Sequence, residues 1–180
     1  MERQLNHQEV KQKLQQSKAD LAKNRPSIIY ILDQIEDNRN LAAFFRLSDA
    51  AGVQHIYLYQ ENPRLLENTK VQKISRNTSR IIPFTYLHQI EDLKSLKKEF
   101  LFVALEITTN SIPYYHFEGS QNLALVIGNE KRGIQQALLD LCETSLHIPM
   151  MGNNSSMNVA MATGIATYGL LEKMGGLPKG

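Results

Sequence analysis

The sequence predicts an α/β domain: a parallel sheet with helices on both faces. Three observations carry that expectation. Short, apolar, β-branched runs of strand length alternate with segments of helical character along the chain. The runs are apolar at successive positions rather than at every second one, so both faces of each strand must be buried, as between two helix layers. The 180 residues, 42% hydrophobic and 21% charged, suit one globular core.

The elements follow in order. Residues 4–22 lack Gly and Pro and are rich in Gln, Lys and Leu, which predicts a helix closed by Pro26. Residues 27–32 form a buried strand by length and flanks. Residues 40–51 read as a helix stopped by Gly52, and residues 53–59 as a strand. Residues 63–77 are polar and irregular, and residues 81–85 make a short edge strand because Pro83 lies within it. Then come a helix over 92–99, strands over 101–107 and 122–127, a loop over 128–133 and a helix over 134–142. A brief strand at 146–148, a loop over 149–155 and a long helix over 157–173 complete the chain. Neither repeats nor an interdomain linker are evident. The expected division is a basic helical arm over 1–25 and one α/β domain over 26–180.

Composition excludes several classes. Cys142 is the only cysteine, which removes internal disulfides and cysteine-based metal clusters and fits a reducing, cytoplasmic setting. Residues 1–20 are polar, unlike a signal peptide, and no apolar run approaches the roughly 20 residues that span a bilayer. The net charge of +2 is unevenly spread. Residues 1–25 hold Arg3, Lys11, Lys13, Lys18, Lys23 and Arg25 against Glu2, Glu9 and Asp20, a net of +3 that leaves −1 for the rest. Such an arm either attracts a polyanion or is a solvated helix face.

Ligands of open parallel sheets bind at the carboxyl ends of the strands, which directs attention to the loops after Leu32, Ile107, Ile127 and Ile148. Three segments there carry chemistry. In residues 40–46, Asn40 opens a helix that it could cap, and Arg46 follows the Phe44-Phe45 pair. A guanidinium beside apolar neighbours needs a partner, either a carboxylate such as Asp49 or a ligand. In residues 125–133, an apolar strand runs into Gly128, Asn129 and Glu130, where the glycine permits close backbone approach. The phosphate-cradling glycine patterns are absent, so a nicotinamide dinucleotide enzyme is disfavoured. In residues 148–159, a polar loop around Gly152 feeds a helix rich in small residues, with Ser156 or Asn158 as its cap. The small residues Ala162, Ala166 and Gly169 suggest a tight interior or an interchain seam.

Taken together and in this order, the three segments resemble the signature motifs of the SpoU (TrmH-like) branch of the SPOUT methyltransferase superfamily. The first motif there is N-x-x-A-x-x-R, here Asn40 to Arg46. The second is an apolar strand, a glycine, a small or polar residue and Glu, here Gly128, Asn129 and Glu130. The third, I-P-M-x-G-x-x-x-S-L-N-V, is matched from Ile148 to Val159 with Met157 in place of Leu, a volume-conserving change. The resemblance covers about residues 27–173.

That resemblance implies a C-terminal deep trefoil knot and S-adenosylmethionine as the methyl donor, held near Leu105, Gly128, Ile148 and Met157. It also implies a homodimer whose first-motif residues complete the partner's site, acting on a ribose 2′-hydroxyl of RNA without a metal. Arg46 is then the leading catalytic residue. Orienting the hydroxyl and neutralising the adjacent phosphate is an easier task for a guanidinium than deprotonation. Asn40 and Asn158 would position donor or ribose, Glu130 would hold Arg46 or a neighbouring group, and Ser156 would hydrogen-bond near the acceptor. The arm resembles that of some tRNA ribose methyltransferases, and the separate RNA-binding domain of larger rRNA-modifying members finds no room, so tRNA is favoured over rRNA. The rival is a catalytically idle RNA-binding module; retention of Asn40, Arg46, Glu130, Ser156 and Asn158 speaks against it.

Overall fold

The computed structural model describes residues 2–21, 26–60, 82–119 and 122–177. The irregular stretch expected over 63–77 lies outside the described residues, as does Ile81.

Seven strands, β1 (Ser27–Asp33), β2 (His55–Tyr59), β3 (Phe84–Leu87), β4 (Leu101–Leu105), β5 (Ile112–Pro113), β6 (Asn122–Ile127) and β7 (Thr144–His147), form one sheet. Its order is β3-β2-β1-β6-β4-β7-β5, and every pairing is parallel. The helices are α1 (His7–Leu21), α2 (Asn38–Ala51), α3 (Ile90–Leu96), α4 (Gln136–Leu139) and α5 (Val159–Lys173).

Both sheet faces are covered, and the alternation of the central strands divides the core. Ile28, Tyr30 and Leu32 of β1 with Leu123, Leu125 and Ile127 of β6 pack on one side against Leu41, Phe44 and Phe45 of α2 and Leu170 and Leu171 of α5. Ile29, Ile31, Ala124 and Val126 face the other way, toward Leu93 of α3 and Leu138 of α4. Burial of Tyr30 raises the pKa of its hydroxyl, which shares a 2.6 Å hydrogen bond with Thr167 of α5. That bond satisfies both polar groups inside the core.

Local chemistry explains where the boundaries differ from those expected. Helix α1 starts at His7 because Asn6 and Glu9 form a reciprocal cap: Asn6 Oδ1 accepts from the Gln8 and Glu9 amides at 3.0 Å, and Glu9 accepts the Asn6 amide at 2.8 Å. Helix α2 starts at Asn38 rather than Asn40, since Asp37 takes the N-cap and accepts the Arg39 amide at 2.7 Å. The Arg39 side chain, hydrogen-bonded to that carboxylate, holds Asp37 down at about 2. Gly52 closes α2 with φ 63, in the left-handed region that glycine favours. Pro83 precedes β3 instead of lying within it, offering only its carbonyl to Ile56, and β3 is the sheet's edge as expected. The short β5 was not foreseen, and the helix expected over 134–142 shrinks to the four residues of α4.

Of the two readings of the small residues of α5, the structure shows the tight interior. Ala166 is fully buried, Gly164 packs near Leu47 of α2, and a Cβ on Gly169 would fall 2.4 Å from the Tyr114 ring of the same chain. The uncovered apolar side of α5 is Met161, Ile165 and Tyr168, spaced one helical turn apart.

Candidate functional site

The carboxyl ends of β1, β4, β6 and β7 bring the three sequence segments to one edge of the sheet. Two loops are locked there first. After β1, Gln34 adopts φ 50, unusual outside glycine. Its amide donates to the Tyr59 carbonyl at 2.9 Å, and its carbonyl accepts from Asn129 Nδ2 at 2.7 Å. The buried Asp33 carboxylate accepts both the backbone and side-chain N–H groups of Gln135 at 2.8 Å. After β6, Asn129 Oδ1 accepts the Lys131 and Arg132 amides, while its backbone pairs with Gly133 in both directions. Gly133 sits at φ 68, and a Cβ on Gly128 would fall 2.3 Å from the Gly133 carbonyl carbon. Both glycines are therefore required by geometry.

One chain of side chains then joins all three segments. Asn40 Nδ2 donates to Glu130 Oε1 at 2.6 Å, and Asn40 Oδ1 accepts from Asn158 Nδ2 at 2.9 Å. Asn158 also caps α5, its Oδ1 accepting from the Ala160 and Met161 amides at 3.0 and 3.2 Å. The Asn40 amide orientation follows from these partners, since the carboxylate requires a donor. Asn40 is buried while Glu130 and Asn158 reach the surface, and this part-buried, charge-assisted network ties the loops together.

Between the second and third segments lies a cavity of about 540 Å³, a volume suited to a small organic ligand. Leu105, Gly128, Ile148 and Met157 all line it, with Glu130, Ser156 and Asn158. Asn40 is behind the wall, acting through Glu130 and Asn158. Ser156 is exposed and hydrogen-bonds to nothing among the described residues. Glu130 holds Asn40, a neighbouring group of the kind expected for it. Two consequences differ from the sequence reading. Asn40 does not cap α2. Arg46 is solvent-exposed while Phe44 and Phe45 are fully buried, and among the described residues its side chain has neither a hydrogen bond nor an ion pair, with Asp49 or any other group. Its guanidinium is exposed to solvent and stands outside the cavity of its own chain.

Sequence reasoning missed Glu106 and His147, which also line the cavity, as does Asn129 of the second motif. A charged residue ending an apolar run was the available signal for Glu106, obscured by extending the strand through Ile107. Among the described residues no His, Cys, Asp and Glu cluster could hold a metal ion, and no helix is long and apolar enough to cross a membrane.

The parallel sheet with a loop-built cavity at its carboxyl edge defines an α/β ligand-binding domain. Residues 27–168 match the SpoU rRNA Methylase family, and the chain belongs to that family. Among curated relatives, the 23S rRNA (guanosine-2′-O-)-methyltransferase RlmB of Blochmanniella floridana is 31% identical over 142 residues, 78% of this chain and 56% of the relative. A Staphylococcus aureus protein assigned to the TrmH family of tRNA/rRNA methyltransferases is 30% identical over 148 residues, 82% of this chain. The chain spans 59% of that relative's length. Among solved structures, the A. aeolicus TrmH/SpoU tRNA modifying enzyme superposes with TM-score 0.72 at 24% identity, covering 94% of this chain and 89% of its own. The AdoMet-bound rRNA methyltransferase of Sinorhizobium meliloti gives TM-score 0.68 at 27% identity, covering 83% and 58%.

Proposed function

We propose that the protein methylates a ribose 2′-hydroxyl of RNA using S-adenosylmethionine. The observation that carries this reading is the convergence of the three motif segments on one cavity through the Glu130–Asn40–Asn158 chain. The cavity fits the donor: apolar Leu105, Leu146, Ile148 and Met157 suit an adenine, and the backbone around Gly128 and Gly133 offers polar contacts. The AdoMet-bound Sinorhizobium meliloti relative supports the same donor. When bound, S-adenosylmethionine supplies a methyl group already activated on a positive sulfur.

The chain's own residues hold and orient. Glu130, Asn40 and Asn158 fix the loops that bring donor and acceptor together, where proximity and alignment supply most of the rate. Ser156, exposed at the rim, hydrogen-bonds near the ribose. Arg46, outside its own cavity and free of partners, serves the cavity of a second copy, where it orients the hydroxyl and neutralises the adjacent phosphate. A homodimer follows from that assignment, and the exposed Met161, Ile165 and Tyr168 stripe supports it. A C-terminal trefoil knot belongs to this reading through the family resemblance of the three motifs.

The substrate is tRNA in preference to rRNA, on the strength of the basic arm over residues 1–25, where Lys11 and Lys13 are exposed. The protein acts in the cytoplasm, in keeping with that substrate. Transfer of labelled methyl groups from S-adenosylmethionine to tRNA and to rRNA in parallel tests the reading. Label is expected in tRNA, and incorporation into neither RNA overturns the assignment.

A further inference from the structure

Glu106 is a cavity-lining carboxylate for which the mechanism above has no use. It is half-buried just past β4, and its backbone is anchored where its amide donates to the Leu146 carbonyl at 3.0 Å. Its Oε1 accepts the Ile107 amide at 3.0 Å, and its Oε2 accepts the Ile134 amide at 3.1 Å. The carboxylate is packed so closely on Gly133 that a Cβ there would fall 2.6 Å from Oε2.

Both partners are neutral backbone N–H groups, and no lysine or arginine pairs with it among the described residues. Of the two cations of the same loop that line the cavity, Arg132 is engaged by Glu36, and Lys131 forms no ion pair with Glu106 among the described residues. The charge of Glu106 is thus solvated by dipoles but not cancelled, and it projects a negative potential into the cavity, where water screens it incompletely. A carboxylate also offers about four lone-pair sites, of which two are taken, leaving acceptor capacity for a ligand.

We infer that Glu106 is a donor-binding residue that selects the cationic methyl donor over its neutral demethylated product. The inference rests on the methyl-donor reading of this cavity. S-adenosylmethionine carries a net charge of +1, from sulfonium and ammonium against one carboxylate. S-adenosylhomocysteine, a thioether, carries none. A fixed negative charge within several ångströms of the ligand therefore favours the first and eases release of the second.

Calorimetric titration of the wild-type protein, Glu106→Gln and Glu106→Asp with each compound, without RNA, tests the inference. In Glu106→Gln the preference for S-adenosylmethionine over S-adenosylhomocysteine is expected to fall by about tenfold, the scale of one charge acting across a partly desolvated cavity. Glu106→Asp sacrifices a backbone bond but keeps the charge, so it retains most of the preference even where both affinities drop. Thermal unfolding of the unliganded variants reports the loss of the loop tie separately. Equal weakening of both compounds in Glu106→Gln would reduce Glu106 to a loop tie and overturn the inference. Failure of the wild-type protein to bind either compound would instead remove the donor reading on which it stands.

Discussion

Gly128→Ala is the smallest change that reaches the heart of the site. The new Cβ would lie 2.3 Å from the Gly133 carbonyl carbon and 2.4 Å from the Ile134 nitrogen, against an ordinary contact of at least 3.4 Å. The atoms met are backbone, so no side chain can rotate aside, and the loop must retreat by about 1 Å. Three hydrogen bonds depend on its present place: the two between Asn129 and Gly133, and the Ile134 amide to Glu106. Overpacking costs about 1–3 kcal/mol and each strained hydrogen bond about 1 kcal/mol, some of which relaxation recovers. A net loss of about 3–5 kcal/mol lowers the unfolding temperature of a chain this size by roughly 10 °C. Because Gly128, Gly133 and Ile134 all line the cavity, affinity for S-adenosylmethionine falls by about tenfold or more in the folded variant. Differential scanning calorimetry and ligand titration measure the two effects. A variant that unfolds at the wild-type temperature and binds the donor normally would refute the packing argument and move the donor site elsewhere.

Three further outcomes are expected. Arg46→Ala should lower turnover on the order of a hundredfold while leaving donor affinity unchanged, Arg46→Lys should rescue little, and mixing Arg46→Ala subunits with donor-binding-defective subunits should restore activity in mixed dimers; steady-state kinetics check this, and near-normal turnover of Arg46→Ala ends its assignment. Ile165→Asp on the uncovered side of α5 should turn a dimer into a monomer in sedimentation experiments, whereas an unchanged dimer would place the seam elsewhere. Burial pushes the Cys142 thiol up to about 12, and its Sγ donates to the Leu138 carbonyl, so alkylation at pH 8 should be slow in the native protein and fast in denaturant, as mass spectrometry would show.

The fold class was legible because it rests on hydrophobic periodicity: uninterrupted apolar runs such as residues 123–127 become fully buried central strands. The cavity residues were legible through motif resemblance, not through periodicity. What escaped depended on competition between side chains for the same backbone groups. Asp37 and Asn40 are both good caps, and only the fold shows that Asp37 takes α2 while Asn40 is drawn to a carboxylate ninety positions away. Arg46 beside two phenylalanines suggested a buried charge, yet its side chain is exposed while both phenylalanines are buried. The small residues of α5 held two meanings, and Tyr114 over Gly169 decided for the interior. The Asn6–Glu9 capping box and the charge of Glu106 at a strand end were signals in plain sight.

The central claim concerns which atom of RNA receives the methyl group, and nucleoside mass spectrometry tests it most directly. RNA incubated with the protein and S-adenosylmethionine, then digested to nucleosides, should yield a 2′-O-methylated nucleoside absent from the control without protein. A methyl group found on a base, or no new nucleoside despite measured donor binding, would contradict the account.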